Sequence, residues 1–112
     1  MASLTDPDYH QTADRLLRRI EAQADAWLQA DVIDIDTQRS GGLLELSFPD
    51  RSKVVVNMQP PLHEVWLASR AGGFHFQWGG SAWVDTKTGH TFDAVFNEQV
   101  SLHAGRALAL GA

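Results

Sequence analysis

The stretch that decides the fold runs from residue 57 to residue 78 and reads NMQPPLHEVWLASRAGGFHFQW. It predicts the end of one β-strand, a double-proline stop, a second strand, a Gly-Gly turn and a third strand. Side chains alternate between the two faces of a strand, so Val65 and Leu67 lie on one face and Trp66 lies on the other. By the same count the second face is polar apart from this tryptophan. The stretch therefore predicts a sheet with one wet face.

Trp66 is the unusual feature of that wet face. The residues that share the face with it by alternation are Asn57, Gln59, His75 and Gln77. A tryptophan ringed by polar side chains is typical of a protein-binding anchor, because binding hot spots favour this residue. The alternative is that a loop or the C-terminal tail covers the ring. We expect Trp66 to contact a partner, with the covered tryptophan kept as the alternative.

The composition bounds the class of protein. With 112 residues, 44% apolar and 21% charged, the chain predicts one domain over 1–112, with a core at about 6–104 and a tail at 105–112. It has no cysteine, which excludes disulfide scaffolds, thiolate metal sites and cysteine nucleophiles. No apolar run is long enough to span a bilayer, and no signal-like segment begins the chain. A soluble, cytoplasmic protein with no membrane partner is expected.

The distribution of charge is informative. The formal net charge is −5, and residues 1–38 hold eight acids against three arginines, whereas the remainder balances six acids with six bases. All the excess negative charge therefore lies on the first third of the chain. This argues against a nucleic acid and for a basic partner or a cation.

Hydrophobic periodicity predicts the order of the elements. Apolar residues at steps of three and four predict a helix over about 6–28, and a second helix is expected at about 91–104. Between them, alternation with period two predicts strands at 32–38, 43–48, 53–59, 63–69, 74–78 and 82–85. Together they predict an α+β two-layer sandwich, with both helices packed on the apolar face of a five- to six-stranded antiparallel sheet. The small, apolar tail is expected to be frayed or laid loosely against the core.

No motif in the sequence marks an active site. The five histidines are scattered without the spacing of a metal-ligand pair, and only His75 shares a face with Trp66. The chain has no nucleophile elbow, phosphate loop or dinucleotide fingerprint. The residues alone therefore indicate no active site.

Carboxylates on the first helix offer oxygen ligands to a cation. Asp14, Glu21 and Asp25 fall within an arc of about 40° on one flank of the predicted helix. The like charges of Glu21 and Asp25, four residues apart, cost a few tenths of a kcal/mol unless a cation lies over them. The alternative is a solvated helix edge, with Arg18 partly neutralising Asp14.

Asp34 and Asp36 extend this acidic region onto the predicted first strand. They point the same way from the strand and could approach Glu21 and Asp25 if helix and strand meet edge to edge. Carboxylates with water suit magnesium, calcium, manganese or iron, and an exposed set predicts weak, labile binding. The alternatives are a solubility face and a docking patch for a basic partner, where charge mainly sets the association rate.

Several stretches together resemble one known family. They are NxQxPxxEVWLA at 57–68, GGFHF at 72–76, YHxxADxL at 9–16, SGGxL at 40–44, the strand around Trp83, and GxTF at 89–92. On these residues the chain is identified as a member of the frataxin family, in its bacterial branch, with a resemblance that covers about 9–104. The resemblance implies two helices on one face of an antiparallel sheet, the fold that periodicity predicts independently.

The resemblance also implies a function. Frataxins bind iron (Fe2+ or Fe3+) weakly through an acidic ridge on the first helix and strand, and act in iron–sulfur cluster assembly with a cysteine desulfurase and its scaffold protein. The implied iron ligands here are Glu21, Asp25, Asp34 and Asp36, with Asp31 as a less secure match in a loop and His10 as an additional ligand. The implied partner-binding positions on the sheet face are Asn57, Gln59, Trp66 and His75.

The sequence departs from the family pattern along the ridge. Ala22, Ala26, Leu28 and Gln38 stand where close relatives often carry acids, and Met58 stands where a basic residue is common. The ridge is therefore thinned. We expect two or three weak iron sites rather than tight binding of many ions.

Two functional hypotheses follow from these observations. The first is a monomeric adaptor without enzymatic activity, a weak iron-binding regulator that contacts the desulfurase through the ridge and the neighbouring sheet face. The second is a ferroxidase with iron storage in oligomers that form with iron, which needs ligands close enough to hold two ions. A third, plainer option is an acidic face that only aids solubility.

Overall fold

Two helices and a six-stranded sheet make up the fold in the computed structural model, which describes residues 4–111. The helices are α1 (Asp6–Gln29) and α2 (Phe92–Ala104). The strands are β1 (Asp36–Ser40), β2 (Leu43–Ser47), β3 (Lys53–Gln59), β4 (Glu64–Ser69), β5 (Gly72–Trp78) and β6 (Trp83–Asp85). They pair antiparallel in sequence order, and both helices pack on one face of the sheet. The predicted α+β two-layer sandwich is confirmed.

Helix α1 forms because its sequence supplies a cap and one continuous apolar stripe. The Thr5 hydroxyl accepts the Asp8 N–H at 3.2 Å, which satisfies one of the free donors at the helix start. The buried side of the helix consists of Tyr9, Ala13, Leu16, Leu17, Ile20, Ala24 and Trp27. Within residues 4–111, neither helix combines the length and apolarity that crossing a bilayer requires.

The sheet alternates as its sequence predicts. Val65 and Leu67 are buried against the helices, whereas Trp66 between them is half-buried on the opposite, outer face. Phe76 of β5 faces the same core and meets Phe92 of α2 edge to face, with 5.0 Å between ring centroids. One face of the sheet is therefore a packed core, and the other is open.

The first strand begins later than periodicity predicts. Its pairing with β2 starts at Asp36 opposite Ser47. Pro49 follows β2 two residues after Ser47, and the chain then turns away, so residues 32–35 find no strand to pair with. Ile35 is nevertheless buried, which explains why these residues look like part of a strand.

The double proline also changes a strand boundary. Pro60–Leu62 form a short 3-10 helix, and His63 ends it with a left-handed backbone (φ 52°). Strand β4 therefore begins at Glu64, one residue later than predicted. This tight connection pairs Asn57 of β3 directly with Trp66 of β4.

The C-terminal tail is part of the core, which corrects the expectation of a frayed or loosely laid segment. Leu108 and Leu110 are buried. The Leu108 N–H donates to the Ser101 hydroxyl at 2.9 Å, and the Leu110 N–H donates to Asn97 Oδ1 at 2.7 Å. Alternate apolar residues after the helix thus cover the gap between the two helices, and the core does not stop at residue 104.

Candidate functional site

The predicted carboxylate ligands lie along α1, its exit and the start of β1. We call them the acidic surface, and they are Glu21, Asp25, Asp31, Asp34 and Asp36. Glu21 is half-buried, and the other four are exposed. Asp31 follows the helix in a left-handed conformation (φ 58°), and Asp34 lies in the connection rather than in a strand.

The acidic surface does not converge on one point. Asp36 pairs with Ser47, next to the pair formed by Thr37 and the buried Leu46, so Asp36 lies on the sheet face that points away from the helices. Across residues 4–111, no group of three or more His, Cys, Asp or Glu side chains is placed to hold a single metal ion. The expected approach of Asp34 and Asp36 to the helix acids therefore gives no shared chelate. The surface offers separate carboxylates instead.

Arg39 is the cation that lies over the helix acids, although no motif marks it. It pairs in register with the buried Leu44, so its side chain points to the helix side of the sheet. Its guanidinium donates to Glu21 Oε1 at 2.9 Å and to Asp14 Oδ1, and we call these two ion pairs the Arg39 bridge. Burial lowers the pKa of Arg39, but the bonds to Asp14 and Glu21 outweigh it and raise the pKa overall. Arg18 pairs with the second Asp14 oxygen at 2.8 Å, as predicted.

His10 lies apart from the acidic surface, near the start of α1. Its exposed ring meets the buried Tyr9 ring edge-on, with 5.4 Å between centroids. It also lines an open groove of about 730 Å³ between α1 and the β1–β2 turn, whose walls include Asp14, Arg39 and Met58. Its role as an additional iron ligand stays a prediction.

The outer face of the sheet carries a built aromatic cluster around Trp66. Strand pairing places Asn57, Trp66 and His75 side by side on β3, β4 and β5. The Trp66 and His75 rings stack, with 4.1 Å between centroids and 6° between planes. The indole N–H of Trp66 donates to Glu64 Oε1 at 2.8 Å. The ring is therefore held in place before any partner binds.

Glu64 is the member of this cluster that the predicted partner-binding set lacks. Its side chain is only 12% exposed, and the second carboxylate oxygen accepts the Gln77 side-chain N–H at 3.0 Å. Gln59, opposite Glu64, donates a long bond of 3.4 Å to Asn57 Oδ1. A spacing of two from Trp66 is the sequence signal that places Glu64 on the same face. We group Asn57, Gln59, Glu64, Trp66 and His75 as the Trp66 face.

At the other end of the sheet, a serine, a histidine and an aspartate meet in a way that looks like a catalytic triad. The Arg70 backbone N–H donates to His103 Nε2 at 3.3 Å, so the proton of the neutral ring is assigned to Nδ1. Nδ1 then donates to Ser52 Oγ at 2.8 Å, and the Ser52 hydroxyl donates to Asp50. In a serine hydrolase the hydroxyl donates to the histidine. This reversed order makes the cluster a structural tie between α2 and two sheet turns.

The buried histidine predicts a pH-dependent stability. Burial lowers the pKa of His103, and the nearby charge of Arg70 lowers it further, while Asp50 opposes them. The unfolded chain therefore binds the proton first as the pH falls below about 6.5, so the free energy of unfolding decreases from there down to the pKa of the folded state. Urea unfolding of the wild type and of His103→Gln between pH 7.5 and 5 measures this. The difference between the two proteins should shrink as the pH falls.

Asp50, in the same cluster, does not contribute to the pH dependence of stability between pH 7.5 and 5. Hydrogen bonds from Ser52 and from Arg70 lower the pKa of Asp50 to about 2. Its contribution is thus complete above about pH 4 and is lost only in stronger acid. A wild-type minus variant difference that stays constant from pH 7.5 to 5 would contradict the assignment to His103.

Comparison with known proteins places this chain in one family. The family profile described as a frataxin-like domain matches residues 2–106. The iron-sulfur cluster assembly protein CyaY of Variovorax paradoxus is 44% identical over 109 residues, 97% of this chain and 99% of the relative. The frataxin of Psychromonas ingrahamii has a TM-score of 0.84 at 28% identity, over 97% of this chain and 100% of that one. Trimeric frataxin from the yeast Saccharomyces cerevisiae, solved in a ferrous complex, has a TM-score of 0.66 at 26% identity, over 95% of this chain and 91% of that one. This chain therefore belongs to the frataxin family.

Proposed function

We propose that this chain is an iron-binding adaptor of iron–sulfur cluster assembly that modulates a cysteine desulfurase and its scaffold protein. The observation that carries the proposal is the presence of two separate surfaces on one frataxin fold. The acidic surface offers carboxylates to a cation or a basic partner, and the Trp66 face offers a fixed aromatic anchor. A relative that covers nearly the whole chain is named as an iron-sulfur cluster assembly protein, which supports this function.

In this proposal iron is a ligand that the protein carries or senses. Carboxylate oxygens suit Fe2+ and Fe3+ as hard donors, and the yeast relative was solved in a ferrous complex. The separate, exposed carboxylates of the acidic surface would hold an ion with one or two protein ligands and water for the rest. Binding of this kind is weak and labile, in line with the two or three weak iron sites that the thinned ridge predicts.

The charge and the aromatic anchor support docking to a basic partner. The acidic surface holds five of the fourteen acidic residues of the chain, and only Glu21 among them is paired by a salt bridge within residues 4–111. Free carboxylates steer a basic partner and make association depend on salt. Trp66 is the kind of residue that carries binding energy once it is desolvated. We propose that the complex of the desulfurase with its scaffold protein docks on the acidic surface and on the neighbouring Trp66 face.

An adaptor role is favoured over ferroxidase activity by the placement of the ligands. Oxidation of two ferrous ions together needs bridging carboxylates that hold the ions within about 4 Å of each other. Within the described part of the chain, no group of three candidate ligands is placed to hold even one ion. We therefore propose no enzymatic step for the single molecule.

Neutralising two free acids tests the docking proposal. Asp25→Asn with Asp34→Asn should weaken the complex with the cysteine desulfurase about two- to thirtyfold at low salt, because exposed charge pairs contribute about 0.2–1 kcal/mol each. Affinity by calorimetry and sulfide release by the desulfurase, with and without Fe2+, measure the effect. At 0.5 M salt, where charges are screened within about 4–5 Å, wild type and variant should bind alike.

A matched pair of substitutions controls for net charge. Asp8→Asn with Glu98→Gln removes the same charge from two exposed positions outside the acidic surface. This control should bind the desulfurase as the wild type does. If both pairs of substitutions weaken binding equally, the effect is due to net charge and not to the acidic surface. If none of the proteins forms a complex with the desulfurase, the proposed function is wrong.

A further inference from the structure

The Arg39 bridge divides the acids on and around α1 into two groups that differ in availability. Asp14 and Glu21 lie seven residues apart, which is about two helical turns, on the flank that faces β1. Arg39 lies between them and donates to both. Beyond Glu21, the structure gives Asp25, Asp34 and the rest of the acidic surface no salt-bridge partner within residues 4–111.

The geometry of Arg39 makes the bridge a built feature. The register of β1 and β2 aims the side chain at the helix, and only 23% of it is exposed. Its third donor, Nε, is bonded to the Gly41 carbonyl at 3.0 Å, in the turn that follows β1. All three nitrogens of the guanidinium are therefore engaged, and the planar fork matches two carboxylates at once.

We propose that Arg39 is an internal counter-cation that competes with divalent iron for Asp14 and Glu21. This inference rests on the proposed iron-binding function and assigns a regulation to the same surface. The guanidinium occupies Glu21 Oε1, so an ion on this carboxylate must either displace the guanidinium or bind beside its positive charge, and both lower the affinity for the ion. Iron is thereby directed to the free carboxylates at Asp25, Asp31, Asp34 and Asp36.

Competition of this kind is reciprocal. Two cations that disfavour each other at one carboxylate lower each other's affinity by the same factor. The metal affinity at Glu21 is thus reduced by the strength of the bridge, and removing the guanidinium should restore it. Two partly exposed ion pairs predict a factor of about three to ten.

The experiment titrates the protein with Mn2+ alone, a paramagnetic, oxygen-preferring stand-in for Fe2+ that does not oxidise in air. Line broadening of backbone amides reports where the ion lies. In Arg39→Gln, the Mn2+ concentration that half-broadens the amides of Asp14 and Glu21 should fall about three- to tenfold. The amides of Asp34 and Asp36 should respond as in the wild type.

Arg18→Gln is the matched control, because Arg18 pairs with the same Asp14 and the variant has the same net charge. Its side chain is 76% exposed and it does not reach Glu21, so broadening at Glu21 should stay near the wild-type value. Arg39→Lys keeps the charge but not the fork and should lie between wild type and Arg39→Gln. Amide spectra without metal verify that each variant is folded.

The outcomes separate this inference from the function on which it rests. Broadening at Asp25 and Asp34 in all proteins, with no gain at Glu21 in Arg39→Gln or Arg39→Lys, overturns the competition and leaves iron binding in place. An equal gain in Arg18→Gln also overturns it, since net charge would then be the cause. The absence of broadening in every protein overturns both proposals.

Discussion

Replacing Tyr9 with phenylalanine will lower the free energy of unfolding by about 2–4 kcal/mol. Tyr9 is fully buried, and its hydroxyl makes two bonds to the backbone at the β3–β4 connection. It donates to the Glu64 carbonyl at 2.6 Å and accepts the Gln59 N–H at 2.9 Å. Phenylalanine fills the same space but leaves both backbone groups without this partner. Each buried group left unpaired costs about 1–3 kcal/mol.

These two hydrogen bonds connect helix α1 to the backbone of residues that belong to the Trp66 face. Gln59 is the last residue of β3 and Glu64 is the first residue of β4, and both belong to the Trp66 face. Burial raises the pKa of Tyr9; the bond from Gln59 opposes this and the charge of Glu64 adds to it. The hydroxyl therefore stays protonated and able to donate at neutral pH. Loss of the hydroxyl should loosen the Glu64 backbone as well as destabilise the fold.

Urea unfolding and amide hydrogen exchange measure the two consequences. Exchange at the Gln59 amide should accelerate more in Tyr9→Phe than exchange at amides in the middle of β3 and β4. Ser81→Ala removes an exposed hydroxyl and should change the free energy of unfolding by less than about 0.5 kcal/mol. A Tyr9→Phe protein as stable as this control would show that the two backbone groups are satisfied without the hydroxyl.

Periodicity predicts a strand correctly where the residues alternate between apolar and polar and where a neighbouring strand is long enough to pair with them. Around Trp66 both are present, so the outer position of the ring follows from the sequence. Before Asp36 only the alternation is present. Val32, Ile33 and Ile35 pack on the core from a connection, because β2 is too short to pair with them. The prediction of a loosely laid tail is wrong for a related reason: the burial of Leu108 and Leu110 depends on tertiary packing that no local pattern reveals.

The Trp66 face could be predicted from the sequence, whereas the Arg39 bridge could not. Residues on one strand face can be grouped by counting, which brings Glu64 to Trp66. The Arg39 bridge joins side chains that are 18 and 25 residues apart, and its geometry depends on the register of β1 with β2. The segment with excess negative charge ends at residue 38. Arg39, the next residue, is the cation that pairs with Asp14 and Glu21 in the middle of this segment. A charge count along the chain cannot show this contact.

Trp66→Ala should weaken binding to the desulfurase–scaffold complex by about 2–4 kcal/mol, which is about 30- to 1000-fold. The reason is pre-organisation as well as size. The stack on His75 and the bond to Glu64 hold the indole in one orientation, so a partner that covers it loses little side-chain entropy. Because Trp66 is only half-buried on the open face, the cost to folding should be much smaller than that of a core truncation.

Three variants separate the anchor from its supports. His75→Ala removes the stacking ring but keeps the indole, and should weaken binding by about tenfold. Glu64→Gln keeps an acceptor for the indole N–H and should bind nearly as the wild type does. Leu102→Ala removes a large, exposed apolar side chain from α2, away from the sheet face, and should have no effect. Affinities by calorimetry, with unfolding curves for each variant, give the comparison.

The ranking of these variants decides what the Trp66 face does. If Trp66→Ala weakens binding and His75→Ala follows it, the stacked pair acts as one anchor and the desulfurase–scaffold complex docks on the open sheet. If Trp66→Ala binds as tightly as Leu102→Ala, the ring is a structural cover for Asn57 and Glu64, and docking rests on the acidic surface alone. Because the two surfaces lie on different elements, their losses should add when Trp66→Ala is combined with Asp25→Asn and Asp34→Asn. If the triple variant loses no more binding free energy than Trp66→Ala alone, the two surfaces do not contribute independently to binding.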